Sequence, residues 1–183
     1  QEIVGDVLIK LGDNISTDHI LPAGPTVLPL RSNVPAIREY LFKYVDADFI
    51  NRVKKKQGGI IVGGHNYGQG SSREHAALCP MSLGVTVVIA KSFSRIHFGN
   101  LINYGILPLT LRSEADYDVI QQGDTLNLDK VIELLESGSD SFPVQNQTSA
   151  TTMITNLEIS SRQREILLAG GLLTYVGANN KNE

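Results

Sequence analysis

The sequence predicts an α/β domain organised around one parallel strand-helix-strand unit, and three observations carry that reading. Gly59-Ile60-Ile61-Val62 is a short β-branched run bounded by glycines, the pattern of a strand buried on both faces. Val85 to Ala90 is a second apolar, β-branched run further along the chain and reads as another buried strand. Between them Arg73 to Leu83 favours helix as far as Cys79, where Pro80 must end or kink it. A helix linking two such strands makes a right-handed crossover, so the strands pair in parallel. At 183 residues the chain has the usual size of one domain. No repeat, low-complexity tract or linker divides it, so residues 1–183 are read as a single domain.

The remaining elements follow in order. Ile3 to Leu11 is apolar with Asp6 and Lys10 interspersed, and reads as a strand. Gly12 to Asp18 is a loop rich in side-chain oxygen, suited to an Asx or N-cap turn, with His19 expected to hydrogen-bond locally. Leu21 to Ser32 carries Pro22, Pro25 and Pro29 and cannot be a regular helix. Ala36 to Tyr44 has a helical pattern. Arg52, Lys54, Lys55 and Lys56 form a basic run that reads as a solvated face. Beyond the second core strand, Ser92 is expected to cap a helix from Phe93 to Tyr104 that Gly105 closes, and Ile106 to Leu111 is a further strand. Residues 112 to 160 alternate charged turns with strand-like runs such as Thr125 to Leu128 and Thr151 to Ile159. Ser160 or Ser161 then caps a last helix that Gly170-Gly171 interrupts. This final third reads as architecture.

Composition narrows the function classes. Apolar residues at 42%, charged residues at 19% and a formal net charge of −3 describe an ordinary soluble protein with no general attraction for nucleic acid. One cysteine rules out an internal disulfide framework and a self-sufficient iron–sulfur site, which needs several cysteine ligands. Cys79, in an apolar helix, reads as a small buried hydrophobe, and the context as cytoplasmic. His65, His75 and His97 lack zinc spacing, so no metal ligand set is expected. No apolar run reaches the roughly 18 residues of a membrane span, and Gln1-Glu2-Ile3-Val4 lacks the regions of a signal peptide. A start at Gln rather than Met fits a piece cut from a longer polypeptide, or removal of a tag.

The chemistry is expected between Gly63 and Ala77. Gly63, Gly64, Gly68 and Gly70 free the backbone to approach a ligand closely. Ser71 and Ser72 are placed at the N-cap and first turn of the following helix, where free N–H groups and the helix dipole favour an anion. Arg73 adds a planar fork for a carboxylate or phosphate. Familiar motifs fail here at specific residues. Arg73 stands where a dinucleotide fingerprint needs its third glycine, a P-loop lysine is absent, and Gly70-Ser71-Ser72 continues as Arg73-Glu74 without the closing glycine of a nucleophile elbow. What remains is an oxyanion cradle with two hydroxyls, or, read as structure alone, two capping serines and a glycine-shaped turn.

Four ordered blocks then point to a family. Gly12 to Gly24 (GDNISTDHILPAG), Tyr67 to Leu78 (YGQGSSREHAAL), Ala90 to His97 (AKSFSRIH) and Asn103 to Leu109 (NYGILPL) resemble the C-terminal swivelling domain of the aconitases and span most of residues 5 to 111. The related small subunit of isopropylmalate isomerase shares the Ser71-Ser72-Arg73-Glu74-His75 core, while the Ser16-to-Ile20 and Ala76-to-Pro80 context is more like aconitase. The resemblance implies a swivelling β/β/α three-layer domain. It implies that Ser71 is the catalytic base and Asp18 an active-site carboxylate, with Ser72, Arg73 and Arg31 holding substrate; Arg38 competes with Arg31. It further implies isomerisation of citrate through cis-aconitate at a [4Fe–4S] cluster held by absent domains or by a large subunit, so that this chain alone is inactive. A small subunit of isopropylmalate or homoaconitate isomerase is the alternative, an RNA-binding regulatory aconitase a remoter one, and a plain carboxylate-binding module a third.

Overall fold

The computed structural model describes residues 1–180. In chain order the elements are β1 (Ile3–Lys10), α1 (Thr17–Ile20), α2 (Val34–Ile37), α3 (Phe49–Lys56), β2 (Gly59–Gly63), α4 (His75–Ser82), β3 (Val85–Ala90), α5 (Arg95–Asn103), β4 (Leu107–Leu111), α6 (Ala115–Val119), β5 (Thr125–Leu128), α7 (Val131–Glu136), β6 (Ser141–Asn146), β7 (Thr151–Asn156), α8 (Ser161–Leu168) and α9 (Leu172–Asn179). The first four strands run parallel, as the crossover argument requires, and β5 to β7 pair antiparallel.

The two walls are joined along both sides. Ile3–Asp6 of β1 pairs with β5, and Thr110 and Leu111 of β4 pair with β7, giving a closed seven-stranded barrel in the order β1-β2-β3-β4-β7-β6-β5. The architecture is thus mixed α/β, but its sheet closes on itself where stacked β/β/α layers were expected. Closure follows from β1 changing partner midway: its first half feeds β5 and its second half feeds β2. Edges that would otherwise stay unpaired are removed.

Strand alternation divides the apolar residues into two cores. Ile60, Val62, Val87 and Ile89 join Leu107, Leu109, Leu126, Phe142, Val144 and Met153 in a core fed by the facing strands. Ile61, Val88 and Ala90 point the other way and pack under α1 to α4 with Ile20, Ile37, Phe49, Val53 and Ala77. A register shift after Val7 puts Ile9 opposite Ile61, so one strand serves both cores. Being buried on both faces, β2 has no polar residue at all.

Several helix boundaries depart from the sequence reading. Ala36 to Tyr44 does not form one helix: α2 ends at Ile37, a 3₁₀ turn covers Arg38–Tyr40, and Leu41 is non-helical. Phe42 then holds φ 53°, anchored by its N–H to the Ile20 carbonyl at 2.8 Å and by edge packing on Phe49. Ser92 does not cap α5, which begins after Ser94. Its hydroxyl accepts instead from the Asn66 N–H at 2.8 Å. The basic run lies in α3, whose last turn carries Lys54 to Lys56 near the carbonyl end of the dipole; Lys54 meets Glu39 and Lys56 meets Asp6. No helix among the described residues is long and apolar enough to cross a membrane.

Candidate carboxylate-binding site

Two loops leave the C-terminal ends of β1 and β2 side by side, the edge where open α/β sheets bind ligands. Their backbones are stitched together: Gly64 N–H to Gly12 O (3.1 Å), Asn14 N–H to His65 O (2.7 Å), Gly68 N–H to Ile15 O (2.7 Å) and Thr17 N–H to Gln69 O (2.9 Å). The Asp13 carboxylate accepts from the His65 N–H at 2.7 Å, and a Cβ on Gly64 would lie 2.1 Å from that same oxygen. Glycine is therefore required at 64 by contact. Asn14 and Asn66 both take the left-handed conformation, which Asn tolerates best among non-glycine residues.

The stitching delivers α1 to the serine corner. Ser16 caps α1 by accepting from the His19 N–H at 3.1 Å, and His19 Nδ1 accepts from the Ser16 N–H at 2.9 Å, a reciprocal capping box. Thr17, buried, donates its hydroxyl to the Ser71 carbonyl at 2.8 Å. One residue on, the Asp18 carboxylate accepts from Arg73 Nη1 at 2.5 Å, and the same nitrogen donates to Leu21 O at 2.8 Å. That hydrogen bond from Arg73 holds the Asp18 carboxyl below the usual carboxylate range, against a smaller penalty from burial.

Ser71 and Ser72 are exposed and precede the helix. α4 begins at His75 with Glu74 as its N-cap residue, so neither serine caps it and the expected placement in the first turn is corrected. The Arg73 and Glu74 carbonyls accept the earliest helical bonds, from Ala76 and Ala77, and leave the serines on a non-helical approach. The helix dipole, which fades within a turn, is correspondingly weaker at Ser71.

Arg31 and Arg38 part company. Arg31 is exposed and lines a cleft of ≈ 460 Å³ with Ser72, Arg73, His75, Leu21 and Leu28. Its carbonyl accepts from His75 Nε2 at 2.8 Å, which ties the proline-rich loop to the start of α4. Arg38 turns its Nη1 to the Ser82 carbonyl at 3.2 Å, at the other end of α4. Ser72, Arg73 and Arg31 thus line one opening, to which Asp18 is tied through its ion pair with Arg73, while Ser71 and Arg38 are not among its lining residues. The far side of the corner is also open. Asn100, 3.5 Å from Ser72 Oγ, lines a second cleft along α5 with Ile96 and Asn103.

Sequence reasoning missed Thr17, Asn100 and His97 as neighbours of the corner, and His75, four residues after Ser71, was set aside without a role. Thr17 and His75 lay inside the motif blocks but carried no pattern of their own, and Asn100 is brought in only by the packing of α5. Among the described residues, no group of three or more His, Cys, Asp or Glu is placed to hold a metal, and Cys79 is buried with its thiol pushed up to about 12 by desolvation.

The barrel thus carries a hydroxyl-guanidinium corner, open to solvent on two sides, of a chemistry suited to a carboxylate. The profile of the aconitase C-terminal domain family matches residues 40–114, and the chain belongs to that family. Among its relatives, 3-isopropylmalate dehydratase small subunit 2 of Archaeoglobus fulgidus is 40% identical over 167 residues, covering 91% of this chain and 90% of the relative. The crystal structure of 3-isopropylmalate dehydratase from Methanocaldococcus jannaschii superposes with a TM-score of 0.78 at 30% identity, covering 100% of this chain and 97% of that one. The mitochondrial homocitrate dehydratase of Saccharomyces cerevisiae is 30% identical over 210 residues, matching 100% of this chain within 26% of its own length. These relatives are hydro-lyases.

Proposed function

We propose that this chain is the swivelling small subunit of an isopropylmalate-type isomerase, which dehydrates a 2-hydroxy acid and rehydrates it with the hydroxyl on the neighbouring carbon. The small-subunit relatives support this reading over citrate isomerisation, which the sequence resemblance put first, and nothing supports its placement in the tricarboxylic acid cycle. One observation carries it: Arg73, oriented by Asp18 and the Leu21 carbonyl, stands beside two exposed serine hydroxyls.

Each residue has a task the geometry suits. Arg73 has spent Nη1 on Asp18 and Leu21, so its remaining N–H groups face substrate and hold one carboxylate. Ser72 adds a hydroxyl contact. Ser71, its carbonyl pinned by Thr17, takes the proton from the carbon beside that carboxylate. A serine alkoxide is too basic to persist in water, so the pocket must close around it, with Arg73 answering the charge. The departing hydroxide needs a Lewis acid, which a [4Fe–4S] cluster supplies in this family. The described residues do not fit such a cluster, with one buried cysteine and no metal-ligand group. It is assigned to a cluster-bearing partner.

The experiment is reconstitution with a cluster-bearing large subunit, followed by assay on isopropylmalate, citrate and homocitrate. Turnover of isopropylmalate is expected, with a loss of about a thousandfold or more in Ser71→Ala at unchanged fold. Full activity in that variant refutes the base assignment. A second reading, a tricarboxylate substrate, is favoured by Arg31, because a third carboxylate needs a further cation. Arg31→Ala decides between them: KM for a tricarboxylate should rise about 10-fold or more, whereas isopropylmalate, with an apolar branch in that place, should change little.

A further inference from the structure

Beneath the serine corner lies a side chain that the proposed mechanism does not use. His97, on the first turn of α5, is 1% exposed, and neither ring nitrogen has a hydrogen-bond partner. Burial pushes its pKa down to about 4, so the ring is neutral near pH 7 and carries one N–H donor and one bare nitrogen acceptor. Unpaired buried polar atoms are costly, and a site that keeps them needs a reason.

The surroundings supply one. The ring lies against the corner's backbone: a Cβ on Gly68 would fall 2.3 Å from His97 Cγ and Cδ2, and Gly68 holds φ +87°. Tyr67 flanks it with ring centroids 5.5 Å apart. With Thr17, Gly70, Ser71, Ser72, Arg73 and Asn100, His97 bounds a small space that has no room for a water molecule. The polar side chains that line this space with the imidazole are those of Thr17, Ser71, Ser72, Arg73 and Asn100.

We infer that His97 is a positioning residue for the Ser71–Ser72 corner, its imidazole becoming the corner's hydrogen-bond partner when the site is assembled around substrate. This rests on the proposed function, because assembly means closure onto the cluster-bearing partner. In the isolated chain the corner is held from one side, by Thr17 on Ser71 O, and is exposed on the other. A small inward movement would satisfy both the imidazole and the serine segment. The cost of the unpaired nitrogens then favours the assembled state over the open one, which is how a buried polar group biases a two-state element.

Three variants and one spectroscopic measurement test this. His97→Leu removes the unpaired atoms at similar volume, so a purely packing role predicts equal or higher thermal stability and unchanged turnover. The inference predicts retained stability with kcat lowered about 10- to 100-fold in the reconstituted enzyme and KM moved much less. His97→Asn reproduces the inner ring nitrogen and His97→Gln the outer one, and one of the two should restore kcat to within about fivefold. Ring ¹⁵N resonances of His97 should shift on assembly with the large subunit and isopropylmalate or citrate. Wild-type kcat in His97→Leu, or ring resonances that do not move on assembly, overturns the inference. Failure of the underlying reading has a different signature: Ser71→Ala would keep its turnover, and the ¹⁵N measurement would still decide His97.

Discussion

At the scale of single residues, the acid side of the titration separates two carboxylates. Asp6 is held below the usual range chiefly by hydrogen bonds from Lys56 and Thr125, and Asp18 chiefly by that from Arg73. A carboxyl whose folded pKa is depressed contributes stability that is fully present above its unfolded value, about 3.9, and is lost as pH falls through the folded value. The Asp18 side chain is 65% exposed and Asp6 only 22%, so solvent screens most of the Asp18 contribution. Lys56→Met should therefore move acid unfolding to higher pH. Arg73→Gln should raise the Asp18 carboxyl midpoint, read by ¹³C NMR, while leaving acid unfolding nearly in place. An unmoved Asp18 midpoint in Arg73→Gln would remove the ion pair on which the site reading rests. Cys79 gives a third test: with its thiol pushed up to about 12 by burial, it should resist iodoacetamide at about pH 8 in the folded chain and react on unfolding. Rapid alkylation of the native protein would show that α4 opens.

At the scale of elements, the sequence was legible wherever one local rule decided the outcome. β2 and β3 were announced by apolar β-branched runs, their parallel pairing by the crossover rule, and α8 by Ser160 and Gln163, which form a reciprocal cap. The serine corner was legible as a ligand loop but not in its geometry. Ser71-Ser72 before a helical stretch looks like a cap, yet Thr17 from another element takes the Ser71 carbonyl and the helix starts later, at His75. A contact across 54 positions leaves no local trace. The same holds for Gly68, which reads as one more flexible glycine although the His97 ring fixes it there. Gly68→Ala would force a side chain into the left-handed region and against an imidazole, so it should cost about 1–3 kcal/mol in denaturant unfolding. Shrinking the ring as well, in Gly68→Ala with His97→Ala, should recover little of the φ strain but part of the clash, giving a measurable non-additivity. Strict additivity would mean that the two residues do not press on each other.

For the whole molecule, barrel closure is what the sequence least betrayed, because it depends on which strand edges meet late in the chain. β5 to β7 are short and alternate plainly, but nothing in them says that β5 returns to β1 or that β7 reaches β4. Buried polar groups at the return seam explain how that register is held. Asn146, 1% exposed, donates to the Asp124 carboxylate at 2.7 Å and accepts from the Thr148 and Ser149 N–H groups at 3.1 Å. Asp124 also accepts from the Gln121 N–H at 2.8 Å, and its carbonyl takes the Val7 N–H of β1 at 2.8 Å. One network thus joins β1, β5 and β6, while the serine corner sits on the loops after β1 and β2. Asn146→Ala should strip a buried carboxylate of its amide partner and cost about 2–3 kcal/mol of unfolding free energy. Because the corner is carried by a different set of hydrogen bonds, turnover of the reconstituted enzyme well below the melting range should stay within about twofold of wild type. A loss under about 0.5 kcal/mol would mean that the seam is held by apolar packing alone, and a parallel fall in kcat would mean that closure of the barrel and the shape of the corner are one cooperative unit.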